Sequence, residues 1–321
     1  MIDLAAKRVL LIGTLFAACG SVAEQPPLVV DTPRSFPTLP AVATSTPAST
    51  TPESSLVFAV IGDYGQAGPP AMAVATLIDS WNVDFIVTTG DNNYPNGEAE
   101  TIDENIGQYY HDYIGNYQGA FGPGSAENRF FPSLGNHDWA FGNIDPFLSY
   151  FTLPGNGRYY DVVVPPIHLF IIDSDTREPD GVGASSQQAA WLREALEDSQ
   201  RQWQIVVMHH PAYSSGYHGS TDYMQWPFDE WGADVVLAGH DHLYERLEVD
   251  GVLYLTSGLG GYEARYDFVE ILPESQVRYN DDWGALRVTA AEDRILFEFI
   301  SVGGEVIDSI TLEGEPISQR Q

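Results

Sequence analysis

Apolar and polar positions fall into short blocks along the chain. LVFAVIGD (56–63) and VDFIVTTGD (83–91) are apolar runs of strand length, and PPAMAVATLIDSW (69–81) between them carries helical periodicity behind a proline start. Strand, helix, strand at this spacing predicts a βαβ unit. Later apolar runs at 130–134, 167–173, 204–208 and 234–238 predict further strands, with helices at about 186–198 and 222–231. The tail from 283 to 312 alternates through LRVTA, ILFEFISV and VIDSITL, which predicts antiparallel strands completing a second sheet. The chain therefore reads as α/β, with 44 % hydrophobic residues in 321 positions and so enough apolar surface for one full-sized domain.

The N-terminal segment stands apart from these blocks. Lys7 and Arg8 precede an apolar run from Val9 to Ala18 that is far shorter than the roughly 20 residues needed to span a bilayer. Residues 1–19 therefore read as a signal peptide. Cys19, the only cysteine, has no partner for an internal disulfide and resembles the lipidated cysteine of bacterial lipoproteins, although Phe16 departs from the usual leucine; an ordinary cleaved signal peptide is the alternative. Residues 20–55 are rich in Pro, Thr and Ser and too poor in large apolar side chains to offset their ordering entropy, so they read as a disordered linker. The expected catalytic domain spans 56–314, with a disordered tail at 315–321 and no internal repeat. This organisation implies an extracytoplasmic protein, lipid-anchored or secreted.

Charge narrows the choice of partners. With 45 Asp plus Glu against 14 Lys plus Arg the formal net charge is -31, a surface that repels nucleic acid and anionic membranes. We expect no nucleic-acid partner, membrane contact only through Cys19, a small substrate and a monomer.

Five polar clusters follow directly on the strand runs: GDYG (62–65), GDNNY (90–94), GNHD (135–138), HH (209–210) and GHDH (239–242). The carboxyl ends of parallel strands lie along one edge of an α/β sheet, so these clusters should converge. Taken singly, a Gly-Asp after a strand is ordinarily a turn, and one His-x-His says little. All five in order bring together Asp, Asn, His and Tyr, the oxygen and imidazole donors that hard and borderline metals prefer. His111 and His168 fall outside the clusters and read as structural or exposed.

The order DxG, GDxxY, GNHD, VxxH and GHxH resembles the five-block signature of purple acid phosphatases, a branch of the calcineurin-like metallophosphoesterases, over about residues 56–245. DxG in place of DxH, and the tyrosine closing GDNNY, point to this branch; the chain is similar to its small, tartrate-resistant type. The resemblance implies a metallophosphoesterase-like, four-layer α/β/β/α sandwich of two mixed sheets. It also implies a dinuclear-metal acid phosphatase that hydrolyses phosphomonoesters through attack of a metal-bound hydroxide. Fe(III) would be held by Asp63, Tyr94 and His242, a second ion (Fe(II), Zn or Mn) by Asn136, His209 and His240, and Asp91 would bridge them. His137, and His218 nine residues beyond His209, match the histidines that face the substrate phosphate. His210 has no counterpart role, and Asp138 is a candidate to orient a histidine. A phosphodiesterase or nucleotide-hydrolysing enzyme on the same site is the alternative.

The chemistry of these residue types agrees with the implied roles. Paired metals about 3.5 to 4 Å apart clamp the attacking and leaving oxygens of an in-line displacement and lower the pKa of bound water from 15.7 to about 7 or below. A Tyr94 phenolate is a hard donor suited to Fe(III). In protonated form, His137 and His218 can bind phosphate and protonate the leaving alkoxide, a contribution of about 10² to 10⁴-fold.

Overall fold

The structure is a computed structural model that describes residues 55–314. The leader 1–19, the 20–55 segment apart from Ser55, and the tail 315–321 lie outside the described residues. Thirteen strands are found among them: β1 Leu56–Ile61, β2 Phe85–Thr88, β3 Phe130–Pro132, β4 Tyr160–Val164, β5 Ile167–Ile171, β6 Trp203–Val207, β7 Val235–Ala238, β8 Tyr244–Val249, β9 Val252–Ser257, β10 Ser275–Tyr279, β11 Gly284–Ala290, β12 Arg294–Ser301 and β13 Val306–Glu313. They form two mixed sheets, ordered β13-β12-β11-β1-β2-β3 and β10-β8-β9-β7-β6-β5-β4. Strands β1, β2 and β3 run parallel in the first sheet, as do β5, β6, β7 and β9 in the second.

Three apolar layers explain why the strand runs are apolar throughout. Phe58 and Val60 of β1 point between the sheets with Leu169 of β5, Ile205 and Val207 of β6 and Leu237 of β7. Their neighbours Ala59 and Ile61 point outward onto Val74, Ala75 and Ile78 of the helix Pro69–Asp79. On the far side, Val206 and Val236 meet Leu192 and Leu196 of the helix Gln187–Glu197, which Ser186 caps by accepting from Ala189 N at 3.1 Å. A strand buried on both faces has no polar face, hence the unbroken runs. Each fully buried side chain of this size contributes about 1.5–3 kcal/mol. The result is the four-layer α/β/β/α sandwich.

Two expectations are corrected. The alternating tail does not complete the second sheet: β11 pairs antiparallel with β1, Phe58 opposite Val288, so β11–β13 extend the first. The helix expected over 222–231 is a 3-10 turn at Asp222–Met224 and a short helix at Phe228–Trp231, because Pro227 lacks an N–H and bars helix at Trp226. Strands β4, β8, β9 and β10 were not foreseen. No described helix is long and apolar enough to cross a membrane.

Candidate metal centre

The five clusters converge where the parallel strands of both sheets end. Asp63 follows β1, Asp91 follows β2, Asn136 and His137 follow β3, His209 and His210 follow β6, and His240 and His242 follow β7. Asp63, Asp91 and His240 have φ of 56°, 54° and 69°, the left-handed region that side chains other than glycine rarely adopt. Such strain costs about 1–3 kcal/mol per residue and persists only where neighbours over-determine it. Here Asp63 N donates to Gly90 O at 3.1 Å, and His240 N donates to Asp63 Oδ2 at 2.9 Å.

Close approach of the turns requires glycine at two positions. A Cβ on Gly90, whose own φ is 94°, would lie 2.7 Å from His209 Nδ1, and one on Gly135 would lie 2.2 Å from Asp91 Oδ1 and 2.3 Å from Asp91 N. Gly135→Ala therefore has to displace the Asp91 backbone. We expect a loss of about 1–3 kcal/mol in thermal or denaturant unfolding together with a fall in bound metal; unchanged stability and metal content would show that the turns can separate freely.

At the centre the donors crowd around one another. Tyr94 Oη lies 2.9 Å from Asp91 Oδ2, 3.3 Å from Asp63 Oδ1 and 3.3 Å from His242 Nε2, and His242 Nε2 is 3.3 Å from Asp63 Oδ1. A second group shares one atom with the first: His209 Nε2 is 3.0 Å from Asn136 Oδ1 and 3.4 Å from the same Asp91 Oδ2. Ring nitrogens of His209, His210 and His240 also come within 4.8 Å of one another. Metal bonds of about 2.0–2.2 Å separate neighbouring donors by about 2.8–3.6 Å, which these distances match.

Tautomers make the case sharper. His209 Nδ1 must donate to Thr89 O at 2.8 Å, and His242 Nδ1 to Ala264 O at 2.8 Å, because a carbonyl only accepts. In the neutral rings the Nε2 lone pairs then face oxygen lone pairs of Asn136, Asp91 and Asp63, an arrangement that requires a cation or an extra proton. Burial disfavours the His209 imidazolium, yet Asp91 and Asp63 outweigh it and push the group up to about 10. His242 is raised against burial by Asp63. Asp91 is held well below the carboxylate range, burial being overcome by His209 and His137. Tyr94 is raised by burial, Asp91 and Asp63. The carboxylates thus draw positive charge into the cage, and no Arg or Lys among the described residues ion-pairs with buried Asp63 or Asp91. The donor set fits metal ions.

The neighbouring histidines differ in how they are held. His137 Nδ1 donates to Pro95 O at 2.6 Å and its N–H to Asp91 Oδ1 at 2.9 Å, with its ring 4.3 Å from Tyr94. Exposed His218 lies 4.2 Å, ring to ring, from His240, on a loop fixed by Asp241, which accepts from His218 N at 2.9 Å and Ser214 Oγ at 2.6 Å. Ser174 Oγ accepts from the N–H groups of both His209 and His210, at 3.2 and 2.8 Å, so its own proton goes to His210 Nδ1 at 2.9 Å. His210 is therefore a neutral Nε2–H donor beside the cage, its pKa pushed down to about 3 by burial and by His209. Asp138 orients no histidine; it accepts from Gly135 N at 2.8 Å and Asn92 Nδ2 at 2.8 Å and so ties two turns together.

Other side chains take plainer places. His168 bonds Ser199 and Asp161, and His111 bonds Gly107 O, both away from the cage. Sequence reasoning passed over Tyr262, stacked 4.2 Å from Tyr94, and Tyr266, stacked 4.2 Å from His242. Both sit in coil between β9 and β10 without motif or periodicity to mark them.

The profile of the calcineurin-like phosphoesterase family matches residues 56–244, more than half of the chain. This chain belongs to that family. As a calcineurin-like phosphoesterase it is a metal-dependent hydrolase of phosphate esters. Purple acid phosphatase 17 of Arabidopsis thaliana is 28% identical over 290 residues, covering 79% of this chain and 83% of that one. Tartrate-resistant acid phosphatase type 5 of Rattus norvegicus is 25% identical over 254 residues, covering 66% and 75%. Among solved structures, purple acid phosphatase PPD1 from yellow lupin seeds matches with a TM-score of 0.65 at 20% identity, covering 81% of this chain and 54% of that one. The GAP50 anchor in the inner membrane complex of Plasmodium matches with a TM-score of 0.64 at 22% identity, covering 81% and 89%. An enzyme and an anchor share this sandwich, so the fold alone does not decide the activity.

Proposed function

We propose that this phosphoesterase is a two-metal acid phosphatase that hydrolyses phosphate monoesters. The observation that carries the reading is the position of Asp91 Oδ2, which belongs at once to the Tyr94–Asp63–His242 group and to the His209–Asn136 group. A carboxylate oxygen shared by two donor sets is what a bridging ligand of two ions requires. Asp63, Tyr94 and His242 would hold Fe(III), with two carboxylates and a phenolate offsetting its charge; Asn136, His209 and His240 would hold Fe(II), Zn or Mn. The ions supply Lewis acidity toward a phosphoryl oxygen and acidify water.

The chain's own residues do the rest. Asp91, Asp63 and Tyr94 fix the cage, and Thr89 O and Ala264 O hold His209 and His242 in the tautomers that present Nε2. Asn136 is a neutral donor and leaves more Lewis acidity on its side. His210 donates Nε2–H toward the phosphate, His137 binds its oxygens, and His218 delivers a proton to the leaving alkoxide. We place the enzyme outside the cytoplasm as a monomer, tethered through Cys19 or secreted, with small phosphate esters as substrates and no nucleic-acid partner.

The test is an absorption spectrum, metal analysis and ester assay on one sample of the purified full chain. We expect two metal ions per chain, iron among them, and a visible tyrosinate–iron(III) band that disappears in Tyr94→Phe. We also expect faster hydrolysis of p-nitrophenyl phosphate than of bis(p-nitrophenyl) phosphate in mild acid. A colourless zinc or manganese enzyme would remove iron, and preference for the diester would replace the monoesterase reading with a phosphodiesterase.

A further inference from the structure

The wall of the cage beside His218 and His242 is built by two loops, 211–222 and 258–274. They brace each other, with Val269 N donating to Ser215 O at 2.9 Å and Leu272 N to Ser215 Oγ at 3.0 Å, and Tyr266 N ties the second loop to His242 O at 3.0 Å. Ser214 and Ser215 are buried, so the loop carrying Tyr217 is anchored on both sides. Yet Tyr217 itself is 67% exposed, and its hydroxyl has no partner among the described residues. Its ring lies 5.1 Å from His218 and 5.6 Å from Tyr266, which in turn stacks at 9° on His242. Val269 and Ile271, exposed by 67% and 50%, extend the same loop outward.

One exposed and one half-buried aromatic ring on two mutually braced loops, one ring's width from the histidines of a phosphoester site, form a surface for something flat. We propose that Tyr217 and Tyr266 form a shelf that binds the leaving group of the substrate, and that preferred esters carry a planar unsaturated ring on that group. This rests on the phosphatase reading and adds the substrate class to it. Charge refines the choice. Exposed Glu263, Asp267 and Glu270 lie on the same loop, while Arg265 is occupied with Trp283, 4.5 Å over its ring, and with Asp282 at 3.7 Å. A ring without further negative charge fits; a polyphosphate chain does not.

The test compares 2-naphthyl phosphate, adenosine 5′-monophosphate and glycerol 2-phosphate on the metal-loaded full chain, wild type against Tyr217→Ala and Tyr217→Phe. Variant-to-wild-type ratios cancel the differing reactivity of the leaving groups. We expect Tyr217→Ala to lower kcat/KM on a ring-bearing ester about five- to tenfold, mostly through KM, to change glycerol 2-phosphate by less than about twofold, and to be rescued by Tyr217→Phe. Loss on 2-naphthyl phosphate alone identifies an aryl ester, and loss that includes the nucleotide identifies a nucleobase on the shelf. Equal loss on all three esters, or no loss, overturns the shelf. Calorimetric binding of 2-naphthylmethylphosphonate against methylphosphonate separates the two readings: a preference of about tenfold that Tyr217→Ala abolishes keeps the shelf even if wild type turns over no monoester. Equal binding of the two phosphonates by wild type overturns the shelf whatever the enzyme hydrolyses.

Discussion

Asp91→Asn is expected to lower kcat/KM on p-nitrophenyl phosphate by about 10³-fold or more and to leave the purified chain short of metal. The substitution is isosteric, so its effect is chemical. His137 N donates to Asp91 Oδ1 at 2.9 Å, which obliges an asparagine to keep its carbonyl there. Its amide nitrogen must then replace Oδ2, 2.9 Å from Tyr94 Oη and 3.4 Å from His209 Nε2. Two N–H donors would stand where the carboxylate offers lone pairs, and a negative charge that attracts a metal ion would be gone. The metal-free protein makes the same point from the other side. Asp91 opposes burial and is a main cause of the upward push on His209, so a site without the carboxylate loses much of its attraction for a cation. Metal analysis and kinetics on one preparation check this, with a thermal melt to confirm the fold. A variant that keeps two metals and more than about a tenth of its activity would show that Asp91 does not bridge.

The site was more legible than the sheets that carry it, and for a physical reason. A cage at strand ends needs particular residue types just after each apolar run, and those pairs stand out in one dimension as GD, GN, HH and GH. The βαβ start was legible because β1 and β2 are buried on both faces, which only unbroken apolar runs satisfy. Strands β8 and β10 were not. YERLEV mixes Glu and Arg with its apolar positions, and SQVRY alternates between intermediate and exposed at the edge of its sheet, so neither presents an apolar run. Which sheet the tail joins is a matter of long-range pairing: β11 opposite β1 joins residues more than two hundred positions apart, and alternation in the tail is the same whichever sheet it extends. Tyr262 and Tyr266 escaped notice for a related reason. Their place beside Tyr94 and His242 follows from the path of a coil segment, and coil has no period. His210 was visible as a residue, but its role depends on Ser174 after β5, whose hydroxyl sets its tautomer.

His218→Ala should slow the enzyme according to the leaving group. If His218 delivers the proton, its loss matters where the departing alkoxide is strongly basic and matters little where the group leaves readily as an anion. We expect kcat on glycerol 2-phosphate to fall about 10²- to 10³-fold, and on p-nitrophenyl phosphate less than about tenfold. The structure favours His218 over His137 for this task. His137 is tied through Nδ1 to Pro95 O and packs on Tyr94, the side where the anion would be held. His218 is exposed, makes no ring hydrogen bond to the described residues, and lies beside Tyr217, where the leaving group would rest. His137→Ala should therefore slow both esters by a similar factor, as loss of a phosphate contact does. The two variants exchange their signatures if His137 is the acid, and equal losses in both would mean that solvent protonates the leaving group. A structural collapse of the His218 loop would behave differently again: the turn stands on Asp241, Ser214 and the buried Ser215 rather than on the imidazole, so inorganic phosphate should still inhibit His218→Ala, and Asp241→Ala should weaken that inhibition more than His218→Ala does.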